Sequence, residues 1–339
     1  MIAGGKPVSR RQKTLPNRAV HRDNKPMPHW LIKAALQRGI SWLPSSHKWN
    51  ELFQRHVTRS TELTAERFEA RLEYCRWHWD HFRRLLPARA RAFRVLEIGT
   101  GWYPIVPLGL YLHGADSIWT FDIDPLVNGP RLACAVAMFD DYAARGQLQK
   151  FWPDLLPQRL TLLRALRTGN STPDPVAQLE SLGIHLRVQD ASQTGLPPNS
   201  VDLMVSTGVL EYIPPPALTA ILTEFNRIAT PGAVMSHYLN LIDQYSYFDR
   251  SLNRLNFLKF PARQWKYLNS PLTWLNRLRI SDYRALFHAA GFQIHTEENT
   301  LGTEDELAGI RLAPEFQKYS KDDLLVLFSR VVAQSVRKS

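Results

Sequence analysis

Residues 94 to 124 read RVLEIGTGWYPIVPLGLYLHGADSIWTFDID and contain two short apolar runs with a glycine-rich turn and a helical pattern between them. The first run, Phe93 to Ile98, breaks at Gly99 and Gly101, and a proline then marks the start of the helical pattern. The second run ends in Asp122. This order predicts a strand, a turn, a helix and a second strand parallel to the first.

The spacing between Gly101 and Asp122 indicates a site for a nucleoside. About twenty residues separate the two, which places Asp122 at the end of the neighbouring strand, close to the turn. Glycine has no Cβ and lets a ligand approach the backbone, and a carboxylate can accept hydrogen bonds from two ribose hydroxyls. A dinucleotide motif would have a third glycine where Pro104 stands, so the pattern fits NAD poorly.

Composition indicates a globular, cytoplasmic protein. Of the 339 residues, 44% are hydrophobic and 22% are charged, and no uninterrupted apolar stretch has the length needed to span a bilayer. The two cysteines, Cys75 and Cys134, cannot form a disulfide framework and fit a reducing compartment. The residues after Arg10 and Arg11 lack the apolar segment of an export signal.

The basic charge is concentrated near the N-terminus. The net charge of the chain is +11, and residues 1 to 25 hold seven Lys or Arg against one Asp, which accounts for +6 of it. Residues 1 to 28 also lack an apolar period, so they are predicted to form a disordered basic tail. Such a tail is either a solvated segment or an arm that docks on RNA.

A helical stripe precedes the first strand. Apolar residues recur at steps of three and four over residues 68 to 86, which predicts a helix packed on the flank of the sheet. With weaker patterns before it, this helix forms a predicted helical extension over residues 29 to 90. Cys75, His78 and His81 lie within it at steps of three, but no nearby carboxylate or thiol completes a ligand set, so no metal site is predicted.

The interval after Asp122 is longer than one crossover helix requires. About sixty residues precede the third predicted strand, Ile184 to Gln189. Helical patterns fill this interval, so we expect a helical insertion at about residues 126 to 183. It either shapes a substrate pocket at the carboxyl edge of the sheet, where such sheets bind ligands, or has only a structural role.

The segment Glu97 to Gly101, followed by Asp122, resembles the first motif of the class I S-adenosylmethionine-dependent methyltransferases. In that family an acidic residue precedes the glycine turn and another acidic residue ends the next strand. Asp190 and Ala191 after the third strand, and Ser206 to Ile213 after the fourth, resemble later parts of the same pattern. The resemblance covers about residues 93 to 330.

The resemblance implies a fold, a cofactor and a set of binding residues. The fold is α/β: a Rossmann-like, seven-stranded, mostly parallel sheet flanked by helices, forming a methyltransferase domain over residues 91 to 335. The cofactor is S-adenosyl-L-methionine, with Asp122 on its ribose, Asp190 on the adenine amine and Ala191 at the adenine ring. The full set of implied cofactor-binding residues is Glu97, Gly99, Thr100, Gly101, Asp122, Ile123, Asp190, Ala191 and Thr207.

Candidate proton acceptors follow from the position of the fifth predicted strand, Ala233 to Leu239. His237 lies near the carboxyl end of this strand and titrates near neutral pH, so we expect it to be the catalytic base, with Asp243 and then Tyr245 as the other candidates. Against this, strand alternation could turn His237 beneath the sheet. Aromatic residues around Trp265 either stack on a flat substrate or pack in the core.

Three functions are compatible with these patterns. The first is methylation of a small-molecule acceptor, either a natural product or a sugar-like metabolite. The alternative is an RNA or protein methyltransferase that uses the basic tail, for which steep salt dependence of substrate binding is expected. The third is a non-catalytic homologue that binds the cofactor without turnover. The sequence indicates no particular oligomeric state.

Overall fold

The computed structural model describes residues 30, 33, 34, 62–90, 92–167, 174–270 and 274–337. The predicted basic tail, residues 1 to 28, lies outside the described residues. In the described part of the chain, no helix is long and apolar enough to cross a membrane.

The described strands form one seven-stranded sheet. They are β1 (Phe93–Ile98), β2 (Ala115–Asp122), β3 (Ile184–Val188), β4 (Val201–Thr207), β5 (Ala229–Asn240), β6 (Phe292–Leu301) and β7 (Val326–Ser335). Their order is β3-β2-β1-β4-β5-β7-β6, with parallel pairing from β3 to β5 and antiparallel pairing of β7 with both β5 and β6. The predicted mostly parallel α/β sheet is confirmed.

Helices cover the sheet and its edges. They are α1 (Ala65–Leu85), α2 (Ile105–Leu112), α3 (Gly129–Ala144), α4 (Leu148–Phe151), α5 (Pro157–Ala165), α6 (Pro175–Glu180), α7 (Pro215–Ile228), α8 (Ala262–Leu268), α9 (Ile280–Ala289), α10 (Glu304–Ala308) and α11 (Lys321–Leu325). Short 3-10 turns lie at Pro87–Arg89, Leu210–Tyr212, Gln244–Tyr247, Asn256–Lys259 and Pro314–Phe316.

A capping residue and an apolar stripe explain why the segment of α1 is helical. The side chain of Thr64 accepts a hydrogen bond from the backbone N–H of Arg67 at 3.3 Å and caps the first turn. Along the helix, Phe68, Leu72 and Phe82 are fully buried, and the helix packs on α2 and β5. The helix predicted from the apolar stripe over residues 68 to 86 is therefore part of the core, while residues 35 to 61 of the predicted extension lie outside the described residues.

The segment between β2 and β3 contains α3 to α6. Its side chains, including the fully buried Trp152, join the core that α1 and α2 build on one face of the sheet. Within it, Arg159 donates to the carbonyl of Tyr111 at 3.0 Å and pairs with Asp116 at 3.0 Å. These contacts lie at the amino end of β2, so this part of the insertion buttresses the edge opposite the carboxyl ends.

Two further apolar clusters complete the core. One lies on the other face of the sheet, under α7 and α9. The other, which we call the β5 cluster, lies beyond the carboxyl end of β5 and contains Trp30, Ala34, Ile242, Tyr245, Leu255, Phe257, Leu258, Trp265, Leu275, Ala313, Phe316, Leu324, Leu325 and Leu327. Residues from the N-terminal extension thus reach the edge of the sheet at which the predicted site lies.

Candidate functional site

The turn after β1 contains two glycines, of which the first is packed against a neighbouring side chain and the second borders open space. Gly99 (φ +79°) and Gly101 (φ +67°) both have left-handed backbone conformations that favour glycine. A Cβ on Gly99 would lie 2.2 Å from Cγ2 of Val209, whereas a Cβ on Gly101 would meet no atom within 4 Å. The backbone at Gly101 therefore borders open space that a ligand can occupy.

Asp122 is fixed beside this turn. Its Oδ2 accepts a hydrogen bond from the backbone N–H of Gly101 at 3.0 Å, and its Oδ1 accepts one from the N–H of Asp124 at 3.2 Å. Partial burial raises the pKa of the Asp122 carboxyl, although these backbone donors act in the opposite direction. The structure thus brings together the glycine turn and the carboxylate at the end of β2.

Glu97 and Thr100 lie under the turn. Glu97 is 4% exposed, and its Oε2 accepts a hydrogen bond at 2.7 Å from the hydroxyl of Thr120, which also bonds the hydroxyl of Thr100. Burial raises the pKa of Glu97 to about 8. The network ties β1, the turn and β2 together, so these two residues shape the backbone of the turn from below.

Apolar side chains stand exposed next to the polar ones at the ends of β2 and β3. Ile123 is 76% exposed and Val188 is 50% exposed, and the backbone N–H of Gln189 donates to the carbonyl of Asp122 at 3.0 Å. Asp190 follows on the surface, where its Oδ1 accepts from the N–H of Ser192 at 2.7 Å. Exposed apolar surface flanked by two carboxylates suits a flat ring that carries an amine and hydroxyl groups.

The remaining two residues of the predicted set are buried. Ala191 is 4% exposed and belongs to the core under α7. Thr207 is 6% exposed, its hydroxyl lies 3.3 Å from Nε2 of His78, and its carbonyl accepts from Arg71 at 3.4 Å. The Thr207 side chain is therefore engaged with α1 at the end of β4.

Glu211 is a polar residue at this edge to which the sequence analysis assigned no role. It follows β4, is 2% exposed, and neither of its carboxyl oxygens has a hydrogen-bond partner of normal geometry among the described residues. Burial raises the pKa of Glu211 to about 8. The sequence indicates this residue only as a glutamate within the otherwise apolar run Val209 to Ile213. Burying a carboxyl without a partner is unfavourable, so a glutamate in such a run is a candidate functional residue.

His237 does not lie at the site. Its ring is 1% exposed and packs between Phe225 and Phe287, with ring centroids 6.3 and 5.7 Å away, under α7 and α9. Its Nδ1 lies 2.8 Å from the hydroxyl of Ser206, and burial lowers the pKa of the imidazole to about 3. Strand alternation turns this side chain beneath the sheet, which corrects the expectation that it faces a substrate.

Asp243 lies three residues beyond β5 and lines a cavity. Its Oδ1 accepts from the N–H of Tyr245 at 2.9 Å and its Oδ2 accepts from Nδ2 of Asn256 at 3.0 Å. Burial raises the pKa of Asp243 to about 6. Tyr245, the third candidate base, donates its hydroxyl to the carbonyl of Leu268 at 2.8 Å, so its proton is directed into the protein.

The expected aromatic residues around Trp265 are divided between core and surface. Trp265 is 6% exposed and belongs to the β5 cluster, while Tyr267 is 65% exposed. As to metals, no group of three or more His, Cys, Asp or Glu side chains within the described ranges is arranged to hold an ion.

Both the sequence and the fold of the chain are similar to those of methyltransferases. A family model for a methyltransferase domain matches residues 67–297 of the chain. Similar solved structures include an S-adenosylmethionine-dependent methyltransferase from Methanosarcina mazei, with 16% identity over 73% of this chain and 94% of that chain and a TM-score of 0.40. Another, from Mesorhizobium loti, has 15% identity over 76% of this chain and 96% of that chain and a TM-score of 0.39. No curated protein sequence matches the chain.

Proposed function

The chain belongs to the methyltransferase family whose model spans residues 67–297, and we propose that it transfers the methyl group of S-adenosylmethionine to a small-molecule acceptor, such as a natural product or a sugar-like metabolite. The observation that carries this proposal is the open space at Gly101 with the Asp122 carboxylate held beside it. The site is built for a nucleoside, and the family transfers methyl groups.

The residues present fit the cofactor. The backbone at Gly101 has room for the ligand, and Asp122 has unused acceptor capacity for the ribose hydroxyls, since a carboxylate offers about four lone-pair sites and two are filled. Ile123 offers an exposed apolar surface for the adenine ring and Asp190 an acceptor for its amine. When bound, S-adenosylmethionine supplies an activated methyl group on a sulfonium sulfur.

The chain contributes mainly alignment, which can account for several kcal/mol of barrier reduction. A base is needed where the acceptor atom must lose a proton. Asp243 takes this role in place of His237, because Asp243 is among the residues that line a cavity at the carboxyl edge and its pKa of about 6 lies near the range of an effective base. His237 instead supports β4 through its contact with Ser206.

The test compares two aspartates of the same strand. Asp122→Ala removes the ribose acceptor, so affinity for S-adenosylmethionine in isothermal titration calorimetry is expected to fall by about 1.5 to 3 kcal/mol. Asp116→Ala, at the other end of β2, removes only a surface ion pair with Arg159 and should bind like the wild type. Unchanged affinity in a folded Asp122→Ala variant would remove Asp122 from the cofactor site.

A further inference from the structure

A cavity lies where the N-terminal extension meets the segment that follows β5. Its wall is formed by Lys33, Asp243, Gln244, Tyr245, Phe248, Trp265, Asn269 and Leu275. Three of these side chains are aromatic. Because β5 runs parallel to β4, the cavity is at the same edge of the sheet as the glycine turn and Asp122.

Lys33 is an unusual member of this wall. Its side chain is 5% exposed, and its ammonium lies over the ring of Phe248. Burial alone lowers the pKa of Lys33 to about 6, with no contribution from a neighbouring carboxylate. A buried ammonium without a counter-ion is unfavourable, because the charged form loses its hydration and gains little in return.

The other polar groups of the wall already have protein partners, with one exception. Asp243 accepts from Tyr245 and Asn256, and the side chain of Asn269 both donates to the carbonyl of Leu275 at 3.0 Å and accepts from its N–H at 2.8 Å. The exception is Gln244, whose buried Nε2 has no partner among the described residues. The two groups that still lack an acceptor, on Lys33 and Gln244, are both donors.

We propose that this cavity binds a hydroxylated aromatic acid, whose carboxylate pairs with Lys33, whose ring lies among Tyr245, Phe248 and Trp265, and whose hydroxyl faces Asp243. This inference deepens the proposed function and rests on it for the reaction. The hydroxyl oxygen bonds to the methyl carbon, the carbon–sulfur bond breaks with its electron pair left on sulfur, and the proton passes to Asp243. The products are an aryl methyl ether and the thioether form of the cofactor.

Binding in the absence of cofactor tests the cavity directly. Calorimetry with para-hydroxybenzoate and with para-hydroxybenzamide, its neutral analogue, compares the wild type with Lys33→Met and Lys318→Met. Lys318 also lies over an aromatic ring, that of Tyr319 at 4.7 Å, but it is exposed. The acid should bind about tenfold or more weakly to Lys33→Met, because the charge-assisted pair is lost, and equally well to Lys318→Met. The amide should not distinguish the three proteins.

Proton uptake provides a second readout that a purely structural role of Lys33 would not give. Pairing with a carboxylate raises the pKa of Lys33, so above the pKa of the free form the acid should bind together with up to about one proton. Titration slightly above neutral pH in buffers of different ionisation enthalpy measures this uptake. It should occur in the wild type and in Lys318→Met and vanish in Lys33→Met.

Three outcomes would overturn the proposal: no binding of the acid to the wild type, equal affinity for acid and amide, or full affinity and proton uptake in a folded Lys33→Met. Thermal melting confirms that the variant is folded. Titration of S-adenosylmethionine into the same proteins separates the two proposals. Loss of acid binding with intact cofactor binding contradicts only the cavity, whereas failure to bind the cofactor contradicts the proposed function.

Discussion

Gly101 and Gly146 adopt the same left-handed backbone conformation, with φ of +67° and +65°, and at both positions a Cβ would meet no atom within 4 Å. Only Gly101 lies at the candidate cofactor site, where it donates its N–H to Asp122. Gly146 follows α3 in the insertion and has no part in that site. The two glycines therefore form a matched pair. Comparing the same substitution at both positions separates its effect on the free energy of unfolding from its effect on ligand affinity.

Alanine at either glycine should lower the free energy of unfolding by about 1 to 2 kcal/mol, the penalty of a left-handed conformation for a residue with a Cβ. Only Gly101→Ala should also weaken cofactor binding, by about tenfold or more, because its methyl group enters the open space beside Asp122. Urea denaturation and calorimetry give the two quantities. Equal cofactor affinity in both variants would show that the open space is not occupied by the ligand.

The residues of the turn could be predicted from the sequence, because a parallel strand, helix, strand unit leaves few ways to place Gly101 relative to Asp122. The orientation of His237 could not. The strand was expected at Ala233 to Leu239, but β5 runs from Ala229 to Asn240. Its register, which decides the face that each residue takes, is set by pairing with β4 and β7 and not by the local pattern. The burial of Lys33 could not be predicted from the sequence either, since it depends on residues that are distant in the chain.

At the scale of elements, one guanidinium connects the loop after β5 to the start of β7. Arg279 is fully buried, and it donates to the carbonyls of Leu241 at 2.9 Å and Leu324 at 3.0 Å, and also to the carbonyl of Val326. Its backbone N–H donates to Asp282 at 2.8 Å and caps α9. A single side chain thus satisfies backbone groups that these segments would otherwise bury without partners.

Arg279→Met should lower the free energy of unfolding by about 3 kcal/mol or more, because several buried carbonyls lose their donor at once. The control is Arg284→Met on the same helix, where a partly exposed arginine pairs with Glu297 at 2.6 Å and the expected loss is below about 1 kcal/mol. Chemical denaturation of both variants measures the difference. If Arg279→Met lowered the free energy of unfolding no more than Arg284→Met does, water would have to hydrogen-bond the carbonyls in place of the guanidinium.

The long periodic elements could be predicted, and the short or polar ones could not. Helix α1 and the buried strands β1 and β4 have apolar patterns that dominate their sequence. The apolar residues at Phe292 and Ile294 predict only the start of β6, which continues to Leu301, because an edge strand pairs on one side and tolerates polar residues. The apolar run Leu324 to Phe328 predicts a strand that starts at Leu324, but Leu324 and Leu325 end α11 and β7 begins at Val326.

For the whole molecule, the three described residues near the start of the N-terminal extension, Trp30, Lys33 and Ala34, are buried against the domain. Trp30 is 6% exposed and packs against Tyr245 and Phe260, with ring centroids 5.6 and 5.9 Å away. Ala34 joins the same β5 cluster, and Lys33 lines the cavity. These three residues therefore cover the carboxyl edge of the sheet on the side of β5.

Two truncations should differ sharply in melting temperature. Removing residues 1 to 25 should leave both the melting temperature and cofactor affinity unchanged, since that segment has no apolar set to bury. Removing residues 1 to 40 also deletes Trp30 and Ala34, and the melting temperature should fall by several degrees, because a buried tryptophan contributes about 3 kcal/mol or more. A large drop after the shorter deletion would show that the basic segment docks on the domain.

Strand β7 follows the other strands in the chain but lies between β5 and β6 in the sheet. While the protein emerges from the ribosome, β5 therefore has one unpaired edge and an open row of backbone N–H and C=O groups until β7 is synthesised. A message with a premature stop codon just before Val326 would encode every residue of the cofactor turn and of the cavity. Its product would still expose that edge, and we expect it to be found with chaperones or in inclusion bodies rather than as a weakened enzyme.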